Sequence, residues 1–258
     1  MRRPFTLMIT AAGEGRRFRQ VGIERPKPLI SVHGEPLLLH TLRCFALSPG
    51  DTCLISGQAR HGLREALEPA MRQQWPEVQL QWIELDELLP GQLATAKASL
   101  DHWIASGAAD SAVLEQALLI HNCDTGFRWQ PSCLPEEVDA CMPVFEAEGD
   151  HWSFGVPNPT NPSRAIAIAE KQRISNLASI GLYGFRSINL FLQQAARQLQ
   201  QAMPVAGEHY IAPLLHTMLS EGCSVSLPRV EGVALYGTPA ELCATFGISL
   251  EALQAENR

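Results

Sequence analysis

The sequence predicts an α/β protein: a single Rossmann-like, doubly wound sheet, mixed but mostly parallel, with residues 1–258 as one domain. Three observations carry this expectation. Short apolar runs rich in β-branched residues alternate with longer helical patterns through the first half, as in βα units on a parallel sheet. Beyond residue 135, strand-like segments follow one another through loops too short for crossover helices, which calls for antiparallel pairing. With 258 residues, 46% hydrophobic and 18% charged, the chain can bury a large core without disulfide or metal staples.

The first strand is predicted at 5–10, followed by a helix at 37–46, a strand at 52–56, a helix at 62–73 and a strand at 78–84. A helix at about 93–105 leads to a strand at 117–121. Right-handed crossovers then place helices on both faces of the sheet. In the second half, strands are predicted at 139–146, 164–169 and 179–185. The turn-rich stretch 157–162 is read as a hairpin excursion and not as a domain linker. Helices are expected at 188–200, 210–221 and 238–255, the last with a break near Gly247.

Net charge excludes one class of partner. Twenty Lys and Arg against 27 Asp and Glu give −7, which argues against nucleic-acid binding through a basic surface, so an anionic ligand must be held locally. No run approaches the roughly 18 apolar residues of a membrane span, and the apolar stretch at 5–12 is strand-sized and unlike a signal peptide, so no membrane partner is expected. Seven scattered cysteines without CxxC spacing read as reduced thiols of a cytoplasmic protein.

Ala11-Ala12-Gly13-Glu14-Gly15-Arg16-Arg17-Phe18 follows the first strand directly, at the carboxyl edge where open α/β sheets hold ligands. Gly13 and Gly15 let backbone N–H groups approach a phosphate, and Arg16 or Arg17 can add charge-assisted hydrogen bonds. The same residues also fit a tight strand-to-helix turn with two solvated arginines. Neither G-x-x-x-x-G-K-S/T nor G-x-G-x-x-G is present. Pro26 and Pro28 stiffen the backbone on either side of Lys27. The strand at 117–121 runs into Asn122-Cys123-Asp124, which puts a carboxylate at the same sheet edge. It fits either a Mg2+ ligand or a turn cap.

Together, the glycine segment and Pro26-Lys27-Pro28-Leu29-Ile30 resemble the A-A/M-G-x-G-x-R-F and P-K-P-L signature of the nucleotidyltransferases that activate sugar 1-phosphates, a fold of the GT-A type. The resemblance implies that Ala11, Ala12, Gly13 and Gly15 wrap a nucleoside triphosphate. Arg16 or Arg17, with spacing favouring Arg17, contacts its β- and γ-phosphates, and Lys27 neutralises charge at the reacting centre. Asn122-Cys123-Asp124 resembles the strand-end segment that binds catalytic Mg2+, with Asp124 as the ligand and Asn122 beside the substrate. Pro90-Gly91-Gln92 resembles the segment under the nucleotide base, although Gly91 also reads as a plain helix cap. Downstream, Glu170-Lys171, Gly181-Leu182-Tyr183 and Gly207-Glu208-His209-Tyr210 resemble the acceptor region. By that resemblance Glu170 reads acceptor hydroxyls, Lys171 binds the acceptor phosphate, Gly181 lines the pocket and Glu208 faces it.

The implied reaction is attack by an acceptor phosphate on the α-phosphorus of the triphosphate with release of pyrophosphate. Residues 1–135 would form a nucleotide half and 136–258 an acceptor half. One departure and one likeness to a branch of the family stand out. Leu235 occupies the position where many members carry a second metal-binding aspartate, and His151-Trp152-Ser153-Phe154 with Gly207-Glu208-His209-Tyr210 resembles a capsule-biosynthesis branch. The alternatives are a GT-A glycosyltransferase, for which the D-x-D motif is missing at 122–124, and a catalytically silent nucleotide-binding protein, for which Leu235 speaks. The nucleobase, the acceptor (a sugar 1-phosphate or a non-sugar phosphate) and assembly as a homo-oligomer stay open.

Overall fold

The computed structural model describes residues 2–201, 203–205 and 207–258. Phe5–Thr10 is the third strand from one edge of an eleven-stranded sheet, parallel to Thr52–Gln58 on one side and to Ala117–His121 on the other, with Leu7 opposite Cys53 and Leu119. Gln79–Leu85 adds a further parallel strand at the edge. Along the first strand the side chains alternate between two cores. Met8 joins Leu54, Leu100, Trp103, Ile120 and Phe191 on one face, while Leu7 and Ile9 join Leu38, Leu67 and Leu119 on the other. Both faces are therefore covered, which explains why these strands read as continuous apolar runs.

The direction changes at Ala117–His121, which pairs antiparallel with Leu182–Phe185. Ala140–Cys141, Val225–Ser226 and the long hairpin of Asn161–Glu170 with Ser153–Asn158 carry the sheet onward, and Leu177–Ser179 and Val144–Glu146 complete it. The mixed, mostly doubly wound sheet expected from the sequence is the one observed, hairpin at 157–162 included.

Three predicted elements are divided or shortened. The strand at 139–146 becomes Ala140–Cys141 and Val144–Glu146, separated by Pro143, which has no N–H to give a ladder. The strand at 179–185 breaks at Gly181, whose φ of 76° leaves the extended region, into Leu177–Ser179 and Leu182–Phe185. The helix at 37–46 ends at Leu42, because Cys44 and Phe45 donate to the carbonyls three residues back and tighten the last turn. At the end of the chain, Pro239–Phe246 and Leu250–Glu256 are separate helices with Gly247 between them.

A third, smaller core of Phe18, Ile23, Ile30, Val32, Leu37, Leu242 and Leu253 sits beneath the segment that carries Lys27. The last helix fastens that segment by polar contacts as well. Asn257 receives the Ser31 N–H at 2.6 Å and donates to the Ser31 carbonyl at 2.9 Å, and Gln254 donates to the Val21 carbonyl at 2.6 Å. Glu256 accepts from the Ser31 hydroxyl and the Gly34 N–H, both at 2.7 Å. All seven cysteines are free, and among the described residues no helix is long and apolar enough to cross a membrane.

Candidate active site

The carboxyl ends of Phe5–Thr10 and Ala117–His121 open into two cavities, of about 400 and 580 Å3, that share Thr10, Gly13, Leu88, Asn122 and Glu208 and so form one cleft. The smaller chamber is lined by Ala11, Gly13, Gly15, Arg16, Arg17, Lys27 and Asp124. Gly15 caps a short helix, Arg16–Arg19, whose Phe18 is buried while Arg16 and Arg17 stay exposed at the mouth. The loop is thus anchored by one apolar side chain and presents its cations to the cleft.

Lys27 opens the 3-10 turn Lys27–Leu29, set between Pro26 and Pro28. Its ammonium lies 5.5 Å above the Phe18 ring, donates to Asp124 Oδ2, and donates to the Gly237 carbonyl at 3.1 Å. Burial pushes the Asp124 carboxyl upward, but the Lys27 charge and hydrogen bond, with smaller contributions from His121 and Arg17, outweigh it and hold the group below the usual carboxylate range. Asp124 is therefore ionised and faces the cations of the glycine loop. A Cβ at Gly237 would stand 3.3 Å from Asp124 Oδ2, so the missing side chain keeps a cradle open in front of the carboxylate. Behind it, fully buried His121 braces the strand end, with Nε2 2.9 Å from the Thr125 carbonyl and Nδ1 3.1 Å from the Gly181 carbonyl.

The larger chamber is lined by Ala12, Gly91, Gln92, Trp152, Ser153, Glu170, Gly181, Tyr183, Glu208 and Tyr210. Ser153 donates to Glu170 and stands 3.1 Å from the Tyr183 hydroxyl. Burial raises the Glu170 pKa, and nearby Glu208 adds to the rise against the opposing effects of Ser153 and Lys171. Burial likewise pushes Tyr183 up to about 12. At Gly181, whose φ is 76°, a Cβ would fall 2.1 Å from Asn122 Nδ2, so a side chain there would strain the backbone and push the Asn122 amide aside. Asn122 Oδ1 is buried without a hydrogen-bond partner among the described residues, an acceptor left for a bound group.

Every residue singled out from the sequence lines this cleft except Lys171. Its ammonium lies 4.4 Å from the centre of the Tyr210 ring, donates to the Tyr210 hydroxyl at 2.5 Å, and stands outside the chamber wall. Two others lie in the cleft with partners that the sequence did not indicate. Gln92 spends its side-chain amide on Thr10 Oγ1 at 3.0 Å. Gly91 admits the His209 backbone: Leu93 donates to the His209 carbonyl and His209 to the Pro90 carbonyl, both at 2.9 Å. Thr10, Leu88, Ser153 and the aromatic residues Trp152, Tyr183 and Tyr210 also line the cleft and were not singled out as site residues. The last four fall within segments that carry the resemblance, whereas nothing in the sequence marks Thr10 or Leu88.

A doubly wound sheet whose carboxyl edge sets a basic glycine loop against a strand-end aspartate fits the nucleotidyltransferase class. The chain belongs to the MobA-like NTP transferase domain family, whose model matches residues 7–173. It is similar in structure to a nucleoside-diphosphate-sugar pyrophosphorylase from Vibrio cholerae RC9, with 25% identity, 94% of this chain and 100% of that chain covered, and a TM-score of 0.82. The inositol-1-phosphate CTP transferase from T. maritima shares the fold at 15% identity, covering 98% of this chain and 96% of that chain, with a TM-score of 0.65. Sequence comparison with curated proteins found no match.

Proposed function

We propose that the protein joins the nucleoside monophosphate of a triphosphate to a small phosphorylated acceptor and releases pyrophosphate. The observation that carries this reading is the division of one cleft into two chemically different chambers. One holds Arg16, Arg17 and Lys27 opposite Asp124, the other holds Glu170 and three aromatic residues, and Glu208 borders both. Residues 1–135 supply most of the first chamber, and residues 1–135 and 136–258 line the second together, within one domain.

The glycine loop and Arg17 hold the β- and γ-phosphates, and Lys27 sits at the α-phosphate, where charge develops as pyrophosphate leaves. The acceptor phosphate is already ionised and attacks in line without a general base, so positioning and charge neutralisation supply the catalysis. Asp124, with the cradle beside Gly237, fits Mg2+, an ion bound through one or two carboxylates together with substrate phosphates and water. When bound, the ion supplies Lewis-acid polarisation of the phosphoryl oxygens. Glu170, half-buried and aligned by Ser153, reads acceptor hydroxyls, with Glu208 beside it. Lys171 brings its ammonium to the acceptor phosphate from the rim by releasing the Tyr210 hydroxyl.

The name of the Vibrio cholerae neighbour supports a sugar phosphate as acceptor. The segments at 151–154 and 207–210 support a role in surface-polysaccharide synthesis, and the seven free thiols support a cytoplasmic setting. A matrix of four nucleoside triphosphates against a library of phosphorylated sugars and other phosphometabolites, read by pyrophosphate release, tests the reading. Acceptor-dependent pyrophosphate with one class of acceptor is expected. Nucleotide binding without pyrophosphate release across the matrix would refute it.

A further inference from the structure

Leu235, where a second metal-binding aspartate would be expected, pairs with Thr125 in a short antiparallel ladder next to Asp124 and offers no oxygen to a cation. We infer that Glu241 supplies the second carboxylate of the cation site, an assignment that rests on the reading of Asp124 as the first. Two residues beyond Leu235, the point where a Cβ of Gly237 would stand lies 3.3 Å from Asp124 Oδ2 and also 3.3 Å from Glu241 Oε2. Both carboxylate oxygens thus border the same small space beside the Gly237 backbone. They are close enough to share one hydrated cation.

Glu241 has a structural role to be weighed against this one. It occupies the third position of the helix Pro239–Phe246, and its N–H donates to the capping hydroxyl of Thr238 at 3.2 Å. A capping box would bring the glutamate carboxylate back to the Thr238 N–H. That reciprocal bond is not made, and the Glu241 carboxylate takes part in no hydrogen bond or ion pair among the described residues, leaving it turned toward Gly237 and Asp124. Lys27 holds Asp124 and the Gly237 carbonyl at this cradle and makes no bond to Glu241. Among the described residues no group of three or more His, Cys, Asp or Glu gathers to hold a metal. A pair of carboxylates is the arrangement that suits Mg2+ or Mn2+, because substrate phosphates and water complete the shell. The position of the missing aspartate is thus filled from the next helix, six residues further along the chain.

The test is binding of Mn2+ to the nucleotide-free protein, followed by the electron paramagnetic resonance signal of the free ion, for wild type, Glu241→Gln, Asp124→Asn and their double variant. Glu241→Gln keeps the side-chain shape and should weaken Mn2+ about tenfold while leaving the melting curve near that of wild type. Gly237→Ala, which puts a methyl group into the cradle, should weaken Mn2+ with both carboxylates intact. Glu251→Gln, the corresponding first-turn glutamate of the last helix, should change nothing. Wild-type affinity in Glu241→Gln would overturn the assignment, as would a wild type that binds Mn2+ no more tightly than the double variant. Pyrophosphate release measured on the same samples separates the two readings. A wild type that loses Mn2+ affinity on Glu241→Gln yet releases no pyrophosphate with any substrate would keep the site and discard the transferase.

Discussion

Gly91→Ala is a severe test of how the cleft is assembled. Gly91 has φ 99° and ψ 172°, a region open essentially to glycine alone. A Cβ there would lie 2.5 Å from the His209 nitrogen and 2.6 Å from its carbonyl oxygen, both rigid backbone atoms that cannot move aside cheaply. The backbone strain costs about 1–3 kcal/mol. Separating the two segments loosens the bonds from Leu93 to His209 and from His209 to Pro90, each worth about 1 kcal/mol. Relief of one cost worsens the other, so a net loss of about 3 kcal/mol is expected. In a chain of this length that corresponds to a fall in Tm of roughly 6–12 °C. Because His209 lies between Glu208 and Tyr210, the surviving folded enzyme should show a raised KM for acceptor and a smaller change for the triphosphate. Thermal melts combined with kinetics in which each substrate is varied independently measure both effects. A variant that melts with wild type and keeps its acceptor KM would refute the claim that this contact builds the acceptor chamber.

Asp124→Asn should lower metal-dependent turnover at least about a hundredfold while circular dichroism stays that of the folded protein, since the carboxylate acts on charge and not on the core. Lys27→Ala should reduce kcat far more than triphosphate affinity. It also removes the charge that holds Asp124 down, so the acid limb of any residual pH profile should move to higher pH. Lys171→Ala should raise the acceptor KM roughly tenfold to a hundredfold, the scale of a lost charge-assisted hydrogen bond of about 1.5–3 kcal/mol, and leave the triphosphate KM nearly unchanged. Glu170 has a raised pKa when folded, so its contribution to stability is complete below the ordinary value of 4.5 and is lost as pH rises through the folded pKa. Glu170→Gln should therefore raise Tm at neutral pH while weakening the acceptor, and a lower Tm would contradict the assigned burial.

The parallel half of the sheet was legible because buried strands and crossover helices leave different periods in the sequence, and Phe5–Thr10 and Ala117–His121 fall where that reading puts them. The positions of Asp124 and Lys27, at a sheet edge and between two prolines, were legible too, whereas the roles expected of them came from the family resemblance. The acceptor chamber was not readable by counting. From the turn at Asn158 and Asn161, a regular hairpin would set Ser153 opposite Ile166. Register shifts on either side of Pro157 instead bring Ser153 opposite Glu170, and so create the hydrogen bond that aligns that carboxylate. Lys171 shows a different limit. Adjacent positions on a strand share sequence but not direction, and a φ of 51° at Lys171 turns it out of the strand toward Tyr210.

The clasp between Asn257, Glu256, Gln254 and the segment from Val21 to Gly34 ties the reach of Lys27 to the far end of the polypeptide, more than two hundred residues away. None of the residues that make those hydrogen bonds lines the cleft, yet opening the clasp would release the turn that aims the ammonium. Recovery of activity during refolding should therefore lag behind formation of the central sheet, with the last helix setting the pace. Small perturbations at the extreme carboxyl end, such as Asn257→Ala, should be felt as a loss of turnover before they register as a loss of fold.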